Sequence, residues 1–195
     1  MSIPLFHNRP VTLLGAALAC CALVACKPKC EQPADTAATA APAKPNDAQI
    51  AHIAVTANSI DSAAGVLART KAQSKAVKDF AQTMITDHTQ VNKQAVALAT
   101  KLGVTPEDND VSRQLQAGAQ EAQTNLQGKS GADFDSAYID HEVAFHQAVL
   151  DALDKTLIPD AQNAELKELL TKVRPAIAAH LDRAKGIQKS LTPGS

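Results

Sequence analysis

Four histidines combine metal-ligand chemistry with positions inside apolar patterns. His88, His141, His146 and His180 fall on the apolar stripes of their segments, and the carboxylate of Asp61 or Asp87 can join them as a ligand. Turning an imidazole into a core costs free energy unless it finds a partner. Imidazole with carboxylate is also the ligand set of zinc, copper, iron and manganese. The candidate metal ligands are therefore His88, His141, His146, His180, Asp61 and Asp87. The same residues also fit a polar layer without a ligand, each histidine bonded across the core to a carboxylate, a tyrosine or the backbone and so setting helix register. A standard di-iron centre asks for Glu-x-x-His on two helices. Here Glu142 and His146 stand four apart, and His180 follows Ala176-Ile177-Ala178-Ala179, so that motif is absent. Nor is there a Gly-rich phosphate loop, a nucleophile elbow or an interpretable Ser/His/Asp set, and a conventional hydrolase or transferase finds no support.

These residues need helices to position them. Asn46, three residues before Gln49, reads as a cap for a first helix in which Ile53, Ala57, Ile60, Ala64 and Leu67 recur at spacings of four and three, ending near Ala72. Ser74 opens a second, with Val77, Phe80, Met84, His88, Val91, Ala95 and Leu98 on its stripe, closed by Gly103 and Pro106. Ser130 with Asp133 reads as a capping box for a third, whose two adjacent stripes imply a wide buried face. Pro159 is expected to break that helix, and Asn163 to cap a fourth running through Leu166, Leu170, Val173, Ile177, His180, Ala184 and Ile187. Residues 111–126 are polar and faintly periodic, which predicts a short, loosely packed crossover helix. Pro175 should bend the fourth helix ahead of His180. The predicted fold class is all-α, a ferritin-like four-helix bundle with a long crossover containing a short extra helix. With 3% aromatic residues the core should be narrow and alanine-rich.

Antiparallel neighbours equidistant from their shared turn lie at one level. His141 is about as far before the turn at residues 157–163 as His180 is after it, while His146 is nearer the turn by about 7.5 Å of helix. His141 and His180 are the expected pair, and Asp61 with His88, flanking Gln73, the second.

The N-terminus decides location. Residues 1–10 carry His7 and Arg9, residues 11–25 are small and apolar, and Cys26 follows, the layout of an export signal. Fifteen apolar residues fall short of the roughly 20 a bilayer-spanning helix needs. Leu23-Val24-Ala25-Cys26 resembles the bacterial lipobox, which implies removal of residues 1–25 and a lipid, with palmitate among its acyl chains, on Cys26. Lys27 follows, where an aspartate would favour inner-membrane retention, so the expected location is the outer membrane facing the periplasm. Residues 26–45, rich in Ala and Pro, form an expected flexible tether, and residues 46–195 the helical domain. Cys30 is a tether thiol, leaving the domain without a disulfide or thiolate ligand. A formal net charge of −1 advertises no nucleic-acid surface. The partners implied are the membrane, through the lipid, and periplasmic proteins.

Val77-Lys78-Asp79-Phe80-Ala81-Gln82-Thr83-Met84 with Asp87-His88, Phe134-Asp135-Ser136-Ala137-Tyr138-Ile139-Asp140-His141, His146, and Pro175 followed by His180-Leu181 resemble the bacterial envelope proteins grouped as domain of unknown function 4142. The resemblance runs from about Asp47 to Leu191. It implies a ferritin-like bundle and export to the periplasm or outer membrane, with no established activity. Where many members carry a glutamate in helix one, this chain has Asp61, whose reach is shorter.

The leading expectation is a non-enzymatic envelope lipoprotein that binds a periplasmic ligand, a metal ion among the options, in an envelope-stress setting. The alternatives are a metal-dependent redox protein with an intra-bundle His/carboxylate site, and a structural or partner-binding module. Lipidation has a direct check: Cys26→Ala should leave the exported protein soluble on fractionation, and its continued membrane retention would contradict the assignment.

Overall fold

Asn46 starts the first helix as its side chain dictates. Its Oδ1 accepts from the Gln49 backbone N–H at 2.9 Å while Gln49 Oε1 accepts from the Asn46 N–H at 3.1 Å, a reciprocal box that satisfies two free donors. The computed structural model describes residues 44–191, so the expected signal (1–25), the lipidated Cys26 and nearly all of the tether lie outside the described residues. The described part is all-helical: α1 (Asp47–Lys71), α2 (Lys75–Leu102), α3 (Asp110–Gln127), α4 (Gly131–Ala152), a π-helical turn (Leu153–Leu157), the short α5 (Ile158–Asp160) and α6 (Ala164–Leu191). No strand occurs among the described residues.

α1 packs on α2 and α4 on α6, and these two hairpins meet through α1 against α4 and α2 against α6. Gly65 lets α1 and α2 approach closely: a Cβ there would stand 3.0 Å from the Ala81 carbonyl oxygen. The C-terminus of α2 is closed by Gly103 at φ 63°, a left-handed cap that suits glycine.

Three expectations change. The crossover α3 is a full helix of 18 residues, capped by Asn109 and Ser112. Its packing is as light as its polar sequence implies, with Ser112 and Leu126 its buried residues, and Lys71 Nζ donates to its last carbonyls, Leu126 O at 3.1 Å and Gln127 O at 2.6 Å. The Ser130–Asp133 box does not form. Gly131 sits at φ 59° in the first helical position, where the box needs helical backbone. Pro159 does not break the helix where it stands. The π turn, in which Ile158 N–H donates to Leu153 O, carries the helical path on to Asp160, and Arg174 of α6 pins it through two 2.6 Å bonds to Asp154.

Two carboxylates hold the turns. Asp135 of α4 accepts from the Gln73 and Ser74 N–H groups, at 2.9 and 2.7 Å, in the α1–α2 turn. Asp47 of α1 accepts from Gln162 and Asn163, at 2.8 and 2.9 Å, ahead of α6.

The interior falls into two apolar clusters. One gathers Val77, Phe80, Met84, Phe134, Tyr138 and Ala184; the other gathers Ile50, Ile53, Leu150, Leu157, Leu170 and Ile177. On each of α1, α2, α4 and α6 the chain passes from one cluster to the other across buried polar residues. Replacing Asp135 by Ala should cost roughly 3 kcal/mol in urea denaturation, since two charge-assisted bonds are lost and two donors stranded. Asp133→Ala, at the box that does not form, should cost less than about 1 kcal/mol.

Candidate metal centre

Asp61 of α1, His88 of α2, Glu142 and His146 of α4 and His180 of α6 meet in the layer between the two clusters, each no more than 6% exposed. The three imidazole rings form a near-equilateral triangle, with centroids 5.7 Å apart for His88–His146, 5.4 Å for His88–His180 and 5.5 Å for His146–His180. Phe80 and Phe145 stand edge-on to His146 at 6.4 and 6.3 Å and close the layer with apolar rings.

The hydrogen-bond partners fix which ring nitrogen carries a proton. Asn58 Nδ2 donates to the Ala54 carbonyl at 2.9 Å, so Asn58 Oδ1 is the acceptor in its 2.7 Å bond with His88 Nδ1. His88 therefore donates through Nδ1 and keeps its Nε2 lone pair free. His146 Nδ1 donates to the Glu142 carbonyl at 3.0 Å, which likewise frees Nε2. His180 Nε2 donates to Asp87 Oδ2 at 3.0 Å, leaving the Nδ1 lone pair. His88 Nε2, His146 Nε2 and His180 Nδ1 are all buried without a hydrogen-bond partner, as are both carboxylate oxygens of Asp61 and of Glu142. Asp61 Oδ2 stands 3.1 Å from His88 Nε2 and 3.3 Å from His146 Nε2, in contact but not in hydrogen-bond geometry. Where Asp61 and Glu142 are ionised, these lone pairs face one another in a buried layer, which is unfavourable by itself. A cation coordinated by them removes the conflict, and outer partners that orient ring nitrogens are how metal-binding imidazoles are held.

One ligand atom from each of His88, His146 and His180 lies within 4.8 Å of the others, and the same is true of Asp61, Glu142 and His146. Burial keeps the His88 and His146 imidazoles neutral, as ligands must be: His88 is pushed down to about 3, with the His146 and His180 rings adding to the effect, and His146 down to about 4. Burial acts the other way on the carboxyls. Asp61 is pushed up to about 7 by burial, partly offset by the neighbouring Glu142 carboxyl, and Glu142 rises well above the usual carboxyl range, chiefly by burial with the Asp61 charge adding. Tyr138, buried beside Glu142, is raised well above 10 chiefly by burial.

Of the residues the sequence singles out, Asp61, His88, His146 and His180 come together. Asp87 is outside the triangle, its side chain 46% exposed, and grips His180 from the rim. His141 is elsewhere: half-buried, it stacks on Phe145 at 5.7 Å and faces α1 and α3. The expected pairing of His141 with His180 gives way to His146 for two reasons. The helical path continues through Pro159, which moves the turn to residues 161–163 and brings His146 level with His180. Five helical residues also rotate a side chain by about 140°, so His141 and His146 cannot share a direction. Glu142 and Asn58 escape a reading based on single stripes. Glu142 lies between the two stripes of α4, and its spacing of four from His146, unsuited to the di-iron motif, is the one that puts both on one helix face. His52, off the stripe of α1, sits 3.9 Å from Asp108 at the surface.

A family model described as domain of unknown function (DUF4142) matches residues 32–187, which takes in every residue of the layer. No curated protein and no solved structure matches the chain.

The shifts set how the stability of the metal-free chain varies with pH. Between about pH 4 and 6.5 the unfolded chain binds protons on His88 and His146 that the folded chain refuses, so their contribution rises with pH. Over the same interval the folded chain keeps protons on Asp61 and Glu142 that the unfolded chain releases, so theirs falls, and the trends largely offset. Once the histidine contribution is complete, at about pH 6.5, the raised carboxyls of Asp61 and Glu142 set the trend, and stability declines as pH rises further. The urea midpoint should be nearly level from about pH 5 to 6.5 and fall as pH rises beyond that, with the fall flattened in Glu142→Gln. A wild-type midpoint that climbs above about pH 6.5 would contradict the picture.

Proposed function

We propose, from the premise that the chain belongs to the family of domain of unknown function 4142, that it is an envelope protein whose helical domain binds one divalent transition-metal ion. The ligands are His88, His146, His180 and Asp61. On this reading α1, α2, α4 and α6 are the four helices of a ferritin-like bundle and α3 is its crossover, and a lipid on Cys26 holds the domain at the outer membrane, facing the periplasm. The observation that carries the metal assignment is the set of three imidazole lone pairs, each freed by a bond on its other nitrogen and each buried without a partner.

Charge supports it as well. Asp61 and Glu142 would bring two negative charges to a site that a divalent ion neutralises, whereas ionising them in an empty interior carries a large desolvation cost. Asn58, the Glu142 carbonyl and Asp87 orient the rings, while Phe80 and Phe145 exclude water. The bound ion would supply Lewis acidity, or one-electron chemistry if it is copper, iron or manganese. The layer lacks the carboxylate count of a standard ferroxidase centre, and binding rather than turnover is the function proposed.

The test is metal content by elemental mass spectrometry on the full chain, purified from periplasm without chelator, beside a His88→Ala/His180→Ala double variant whose helix content is checked by circular dichroism. Wild type should carry close to one ion per chain and the folded double variant less than a tenth of that. Asp87→Asn should weaken affinity by roughly 10- to 100-fold, as loss of an outer partner does. A wild-type chain that stays empty after titration with zinc, copper, iron and manganese would make the layer a structural one.

A further inference from the structure

The two halves of the interior are packed differently. On one side of the polar layer Phe80, Phe134, Tyr138 and Met84 are fully buried and fill the space. On the other side lies an apolar pocket of about 170 Å³ that is partly open to solvent. Its walls are alanine and aliphatic side chains from all five long helices, among them Ala57, Ala95, Leu98 and Leu170. Asn58 and Phe145 form the end next to the layer, where Asn58 holds His88 and Phe145 stands against His146. The one carboxylate on its lining, Asp47, is taken up by the Gln162 and Asn163 N–H groups. The cavity therefore offers an apolar surface with no charge left to pair.

A void of this size weakens a core unless something fills it. An apolar cavity of about 150 Å³ stays dry and takes up benzene. Access is available along α2, where Val91, Ala95 and Leu98 are half-buried. The polar bonds joining α2 to α6 among the described residues are Thr83–Arg183, Asp87–His180 and Lys101–Glu165. Between Asp87 and Lys101 the seam can part without breaking one of them.

We infer that this chamber is a binding site for an uncharged apolar small molecule, a single ring or short chain of about six to eight carbon atoms. The volume limits its size, and a lining that is apolar apart from Asn58, Asn163 and the already paired Asp47 offers no partner to a charged group. The site is independent of the metal reading, since none of its walls needs an ion.

Fluorobenzene titrated into the full chain and followed by fluorine NMR is the test. Binding should saturate, be displaced by toluene, and resist benzoate at the same concentration. Ala95→Leu and Ala57→Leu, which fill the chamber from two different helices, should each weaken binding at least tenfold with helix content unchanged. Absence of saturation up to the solubility limit overturns the inference, as does displacement by benzoate as strong as by toluene, or wild-type affinity in the folded filling variants. Displacement by phosphatidylglycerol vesicles but not by toluene also overturns it, in favour of a lipid chain. If neither filling variant folds, the toluene and benzoate comparison in the wild type decides.

Discussion

Three imidazoles and two carboxyls buried at one level of four helices are the constraint around which this domain is organised. Each group taken alone would cost free energy in that interior. Together they require α1, α2, α4 and α6 to stand in one register, because a slip of one turn, about 5.4 Å, would move a histidine into an apolar cluster. The arrangement of outer partners follows from the same constraint. Asn58, the Glu142 carbonyl and Asp87 each occupy the nitrogen that would otherwise be free to satisfy the interior. The layer is thus left with imidazole lone pairs facing two carboxyls, acceptor against acceptor once those carboxyls ionise.

The elements around the layer set its height and closeness. Gly65 lets α1 press against α2, which brings Asp61 to within 3.1 Å of His88. The π turn ahead of Pro159 adjusts the length of α4 so that His146 comes level with His180. Aromatic bulk lies mainly on one side of the layer, and the other side is left to alanines and aliphatic residues around a cavity. The polar layer is in this sense also a partition between a filled half and an unfilled one.

Much of this was legible in the sequence. The α1 cap at Asn46, the stripes of α1, α2, α4 and α6, and the inward placement of His88, His146 and His180 all follow from spacing. What spacing does not carry is rotation and length near an irregularity. His141 is level with His180 only if Pro159 stops the helix, whereas a wider helical turn absorbs it. Glu142 does not fit the di-iron spacing, and its place in the layer follows instead from the breadth of the buried face of α4. The length of α3 exceeds what its periodicity implies because a helix that buries little shows little periodicity. Its capping pair, Asn109 and Ser112, was the available signal.

The two aspartates at the turns carry a further implication for how the chain reaches this state. The donors of the α1–α2 turn are satisfied by Asp135 from α4, and those of the turn before α6 by Asp47 from α1. Neither hairpin can therefore complete its own end until the other has docked. Local pairing of α1 with α2, or of α4 with α6, forms quickly through contacts close in sequence, yet remains unfinished. The exchange of carboxylates makes the finishing step mutual, which favours all-or-none assembly over a populated half-built intermediate.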